Sequence, residues 1–184
     1  MESTLGSCAA LVDFHLVFEN PGYHVYRNQR VLPRSFIVHA VRVIKDEAEI
    51  LRQIAHPAFK PASVAIVEEN VDPLTADAKI ASPAPRFLER SLNRVLLEAS
   101  LSGPGLLVLA DVFYPGWKCF VDGTETKIYR ANYVMRGVFV PAGKHLVEFR
   151  YEPLTFKIGA AISLVTLILV LAYLGWWKLK LRNG

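Results

Sequence analysis

From Ile158 to Trp177 the chain runs for 20 residues without one charged side chain. A helix of that length rises about 30 Å, the thickness of the hydrocarbon layer of a bilayer. Tyr173, Trp176 and Trp177 stand near its far end, where amphipathic rings favour the headgroup layer, and Lys178, Lys180 and Arg182 follow. Lys157 precedes it. The run reads as a transmembrane helix over residues 158–177 with a basic cytoplasmic tail over 178–184. A buried core helix is the alternative, but core helices seldom continue this long without charge and then stop at a Trp-Trp-Lys boundary.

That helix changes the meaning of the net charge of +4. Three of the 21 basic residues follow it, leaving 18 against 17 acidic ones. The remainder is nearly neutral and has no basic stripe of the kind that tracks phosphates, so nucleic acid is not expected as a partner. Two cysteines, Cys8 and Cys119, cannot form a disulfide framework, although one bridge is compatible with an oxidising compartment. The start of the chain carries Glu2 where a signal peptide would be basic, and Asp13 and His15 interrupt its apolar stretch. Leu5 to Cys8 matches a lipoprotein cleavage box only by letter. A basic tail inside the cell would put the preceding residues outside, yet nothing in the chain exports them. Either the protein is tail-anchored with a cytosolic domain, or it is the end of something larger.

Before the helix the pattern is mainly that of strands. Tyr23 to Val43 is strand-like, and Phe36 to Val43 is mostly apolar on both faces, as in a strand buried from two sides. Asp46 to Ala55 is one short helix, with an acidic first turn, an apolar stripe of Ile50, Leu51 and Ile54, and a stop at His56-Pro57. Ser63 to Glu69 is another short strand. Asn70 to Pro85, with three prolines, is a loop or linker. Seven closely spaced strands then follow, over residues 87–92, 94–100, 106–111, 117–121, 126–130, 134–140 and 145–151. Turns punctuate them at Gly103-Pro104-Gly105, Tyr114-Pro115-Gly116, Asp122-Gly123 and Pro141-Ala142-Gly143. The expected fold is mainly β: an antiparallel sandwich or jelly roll with one short helix in an N-terminal α+β part, followed by the transmembrane helix. The expected division is residues 1–83 packing on a sandwich core of 84–153.

No catalytic constellation emerges. Asp111 and Asp122 could be imagined as a carboxylate pair, but Asp122 precedes glycine and has a complete reason to exist as a hairpin turn. Glu68 and Glu69 point to opposite faces of a strand end. The five histidines show no ligand spacing, Gly103-Pro104-Gly105 lacks an amide that a phosphate cradle needs, and no cofactor or metal is implied. The remaining candidates are Tyr114, Trp117, Arg130, Asn132, Tyr133 and Arg136, together with Tyr129. Exposed rings beside Arg and Asn could bind a glycan or a partner; equally, Trp117 and Tyr133 could fill the core.

Several motifs in order resemble one family. Tyr114 to Trp117, Val121 to Gly123, Arg130 to Asn132, Pro141 to Gly143 and Phe149 to Pro153 look like the C-terminal extracytoplasmic segment of YfhO-type bacterial membrane proteins. Val25 to Val38 is similar to that family's hairpin leading into Leu-Pro-Arg and a strand. The resemblance covers Phe14 to the end. It implies likeness to multi-span glycosyltransferases that use polyprenyl-phosphate sugars at the outer face of the membrane, with a catalytic acid in an early loop that this sequence lacks. The chain would therefore be inactive alone, an accessory to glycan or lipid-linked-sugar transfer at the cell envelope. Its implied place is the bacterial cytoplasmic membrane, single-pass, with the bulk outside. The implied partners are the lipid bilayer, a glycan or polyprenyl-linked sugar, and a multi-span membrane protein. The competing class is a structural or interaction module that packs on a membrane partner and touches no sugar.

Overall fold

A computed structural model describes residues 14–29, 31–71 and 80–182. The Leu5 to Cys8 box, any Cys8–Cys119 bridge and the middle of the 70–85 loop lie outside the described residues. Strand structure begins earlier than expected. β1 (Phe14–Asn20) and β2 (Tyr23–Asn28) form an antiparallel hairpin by themselves. The Asn20 side chain sets its turn by accepting from the amides of Gly22 and Tyr23 at 2.8 and 2.9 Å. The hairpin's rings, including Phe14, Phe18, Tyr23 and Tyr26, are exposed.

Two larger sheets follow. The first has six strands: β3 (Ser35–Val38), β4 (Ala40–Val43), β5 (Val64–Val67), β8 (Gly105–Val112), β11 (Ile128–Ala131) and β12 (Met135–Val140). The second contains β6 (Arg86–Arg90), β7 (Arg94–Leu101), β9 (Trp117–Val121), β10 (Thr124–Thr126) and β13 (Gly143–Tyr151). Their orders are β3-β8-β12-β11-β5-β4 and β10-β9-β13-β7-β6. Every pairing is antiparallel except β4 with β5, which are joined through α1 (Glu47–Ala55) as a parallel pair requires a crossover. This parallel pair lies in the N-terminal α+β part, and the strands after residue 85 all pair antiparallel, as expected. The fold is mainly β, as anticipated.

The six-stranded sheet cannot be flat. Its two edge strands, β3 and β4, are separated in the chain by His39 alone, so their ends lie within about 7 Å. Six strands laid flat would part those edges by about 24 Å. The sheet therefore curls until its edges meet, and β4 touches β8. Its inner face has a core of Phe36, Val38, Ala65, Val67, Leu106, Val108 and Ala131. Gly137 belongs to this interior, since a Cβ there would stand 3.0 Å from Leu106 and 3.2 Å from Ala131.

The outer face supplies half of a second core. Ile37, Leu107, Leu109, Val138 and Val140 pack there against Val95, Leu97, Ala99, Cys119, Val147 and Phe149 of the five-stranded sheet. Cores on both sides explain why β3 is buried at every position. Burial between the sheets pushes the Cys119 thiol up to about 12. At the seam, His39 is held by the carbonyl of Pro104 at Nδ1 and by the Ser82 hydroxyl at Nε2, both at 2.9 Å. Nδ1 donates to the carbonyl, which can only accept. This pins the far end of the 70–85 loop.

α1 starts where expected: the Asp46 carboxylate caps it, accepting from the Glu49 amide at 2.7 Å. Ile50 is buried, whereas Leu51 is exposed, so the expected stripe narrows to the Ile50 side. α2 (Leu154–Arg182) contains a candidate membrane span over Leu154–Lys178, in which an 18-residue window has a mean hydropathy of 2.4 and no part buried inside the protein. Within this chain it is not a buried core helix. Its 25 residues rise about 37 Å, enough to cross a bilayer with some tilt.

Candidate functional site

The corner between β8 and β9 is built around Gly116, whose φ of +98° lies where residues with a Cβ are strained. A Cβ there would also stand 3.0 Å from the Tyr151 ring and 3.1 Å from Pro153. The Gly116 carbonyl accepts from the Glu152 amide at 2.7 Å. Tyr-Pro-Gly-Trp is thus both a sheet corner and a clamp on the segment that leads from β13 into α2.

Trp117 follows. It is half-buried, packs on the inter-sheet core, and lies 5.3 Å from the Tyr151 ring. The Arg136 guanidinium sits 3.9 Å from the Trp117 ring centre. Arg136 is itself buried, and its Nε donates to the Val112 carbonyl at 2.9 Å, while Nη1 has no hydrogen-bond partner. Burial holds the Arg136 pKa below the ordinary arginine range, with Asp111 opposing and Arg34 reinforcing that effect. The indole face supplies part of the stabilisation that water would otherwise give this cation.

Beside this pair a cleft of about 210 Å³ opens between the sheets. Tyr114, Trp117, Lys118, Glu125, Lys127 and Arg136 line it. Its cations are already engaged: Lys118 meets Glu125 at 3.0 Å and Lys127 meets Glu69.

The other three candidates face elsewhere. Asn132 and Tyr133 have φ of 45° and 71°, forming a tight left-handed turn between β11 and β12. Asn132 is buried; its side-chain oxygen accepts from the Ile66 amide at 2.9 Å and its own amide donates to the Ile66 carbonyl at 2.8 Å. Arg130 reaches Glu68 at 3.1 Å and Glu47 at 3.3 Å, which raise its pKa, and lies over the Tyr133 ring at 5.4 Å. Arg130 alternates in register with Ile128, which packs on the inter-sheet core. Its bond to Glu47 therefore places the start of α1 on the outer face of the curled sheet. So the structure gathers Tyr114, Trp117 and Arg136 at one cleft and engages Arg130 and Asn132 in bonds within the fold.

The acidic residues are likewise accounted for. Asp111 pairs with Arg34 at 2.7 Å. Asp122 and Gly123, with φ of 50° and 83°, make the two-residue hairpin turn of β9 and β10 that Asp-Gly signals. The Asp122 carboxylate also accepts from the Leu146 amide at 2.8 Å and meets His145 Nδ1 at 2.6 Å. That contact lowers the carboxyl pKa and raises that of the imidazole. Sequence reading missed Glu148, buried on β13 and held by Arg150 at 2.6 Å and Arg94 at 2.5 Å; its carboxyl is held down to about 2. A charged residue between core residues Val147 and Phe149 was the available signal. Among the described residues no cluster of His, Cys, Asp or Glu could hold a metal ion.

At the membrane helix, the Tyr173 ring lies tilted against those of Trp176 and Trp177 at 6.2 and 6.3 Å, and Lys157 reaches Glu152 at 3.4 Å. The side chains of Lys180 and Arg182 lie outside the described residues.

No solved structure matches the chain. A curated relative, the uncharacterized protein YfhO of Bacillus subtilis (strain 168), is 31% identical over 117 residues. The match covers 63% of this chain but only 14% of the relative, so the chain corresponds to a small part of that protein's length. The family model described as bacterial membrane protein YfhO matches residues 45–163, from just before α1 through β5 to β13 and into α2. It takes in the Gly116 clamp, the Asp122 hairpin and the Asn132 turn. The chain belongs to the YfhO family of bacterial membrane proteins.

Proposed function

We propose that this chain is a membrane-tethered, extracytoplasmic β module of a YfhO-type protein. It acts by packing on a multi-span membrane partner, not by catalysis of its own. The observation that carries this reading is the internal use of Arg130 and Asn132, the residues best suited to grip a sugar. The exposed aromatic hairpin of β1 and β2 offers the partner an apolar surface. Lys178, Lys180 and Arg182 after the span support a cytoplasmic C-terminus. In this reading, transfer of lipid-linked sugars at the cell envelope belongs to the partner, which the module braces or positions.

Two measurements test it. A membrane-impermeant thiol reagent should label Ala84→Cys in intact cells; labelling only after lysis would overturn the outside placement. A photo-crosslinker at Phe18 should join the chain to a multi-span membrane protein, and joining to lipid alone would count against the partner.

The cleft at Tyr114 and Trp117 favours a second reading, in which the module itself holds a glycan. Its volume is below the roughly 300 Å³ at which ligand pockets usually begin, so only one sugar unit would fit. Saturation-transfer NMR with sugar phosphates should then show contacts that Tyr114→Ala abolishes. Without such contacts, the packing role stands alone.

A further inference from the structure

We infer that the domain is seated directly in the headgroup layer of the bilayer through two turns, one tipped by Leu92 and one by Tyr114. The inference rests on α2 spanning the membrane.

Only Glu152 and Pro153 separate the last residue of β13, Tyr151, from Leu154, where the apolar stretch begins. Tyr151 and Leu154 are three residue steps apart, at most about 11 Å, so the domain has no linker on which to stand far from the membrane. The headgroup layer on each side of the hydrocarbon is about 5–8 Å deep. The end of the sandwich bearing Tyr151 is therefore held at the level of the headgroups or immediately above them.

Both turns are tied to that end by main-chain bonds. The Tyr151 amide donates to the Asn93 carbonyl at 2.9 Å, fixing the β6–β7 turn, and the Glu152 amide donates to the Gly116 carbonyl at 2.7 Å, fixing the β8–β9 corner. What they present is unusual for a surface facing water. Leu92 at the first tip is 94% exposed, and Tyr114 at the second is 60% exposed. Phe156, on the first turn of α2, is 75% exposed and shares a groove of about 490 Å³ with Asn93, Tyr151 and Lys157. An apolar tip, an amphipathic ring and adjoining basic side chains form the combination that settles at a lipid interface. Arg90, beside the Leu92 turn, has no carboxylate partner among the described residues, leaving its guanidinium available to a phosphate. The occupant is thus the lipid surface that α2 enters.

The test uses the full chain, with Cys8→Ser, reconstituted into vesicles of phosphatidylcholine and phosphatidylglycerol. An environment-sensitive fluorophore is placed at Leu92→Cys or Tyr114→Cys. Thr124→Cys serves as the distal control, because β9 carries the chain about 16 Å from Trp117 before the hairpin turn. Leu167→Cys in α2 reports on the span. Buried Cys119 is retained. Spin labels held near the headgroups should quench both turn probes and shift their emission to the blue, while Thr124 stays unquenched and Leu167 responds to labels deep in the bilayer. If Leu167 is quenched but Leu92 and Tyr114 behave like Thr124, the seating is overturned. If Leu167 itself is not quenched, the membrane span fails, and the seating with it.

Discussion

The Glu152 amide donates to the Gly116 carbonyl at 2.7 Å, joining the aromatic corner to the last residues before the membrane helix. Strand order at one end of the sheet is thereby coupled to where the chain leaves the domain. Gly116→Ala must place a side chain at positive φ and press it on Tyr151 and Pro153. The expected cost is about 2 kcal/mol, measured by denaturant unfolding in detergent micelles. A neutral result would mean that the corner relaxes freely.

Arg136→Lys keeps a charge but loses the planar group over Trp117 and the Nε bond to Val112. A buried ammonium at this place is less well matched than the guanidinium. Destabilisation of about 1–3 kcal/mol is expected, together with a change in near-UV circular dichroism from Trp117. An unchanged melting curve would argue against this contact.

Glu148 sets an acid limit. Its folded pKa, about 2, lies below the ordinary 4.5, so the protein gains stability from its ionised form above about pH 4.5 and loses that gain as pH falls towards 2. Glu148→Gln should be less stable than the parent at pH 6. It should also show a shallower decline between pH 4.5 and 2 in acid titrations followed by circular dichroism.

The Asp122–His145 contact acts at the other end of the scale. His145 has a folded pKa raised above its ordinary 6.5. Its contribution is fully present below pH 6.5 and is lost as pH rises through the folded value. Stability measured from pH 6 to 9 should decline in the parent and decline less in His145→Asn. Equal slopes would place the pair's effect elsewhere.

Much of the fold could be read from local patterns. The Asp46 cap, the Asp122-Gly123 turn and the uncharged run of α2 each carry their instruction within a few residues. The closure of the six-stranded sheet was not legible, because it depends on which distant strands pair; no local pattern says that β3 joins β8 while β4 joins β5. The parallel β4–β5 pair was hidden for the same reason, although the strand–helix–strand order was visible. At the candidate site, the residue types were found but not their directions. Arg130 and Arg136 oppose each other across β11 and β12, yet one turns to Glu68 and the other beneath Trp117. That choice is made by neighbours far away in sequence.

The seam at His39 has a kinetic consequence. Among the described residues β3 pairs with β8 alone, and β5 needs β11 as well as β4, so the six-stranded sheet cannot close until Ala131 has been made. Contacts so distant in sequence make for slow folding. β3 and the open edge of β5 must therefore stay unaggregated while the rest emerges. For a domain attached to a membrane helix, closing the sheet and anchoring the chain become nearly simultaneous events in biogenesis.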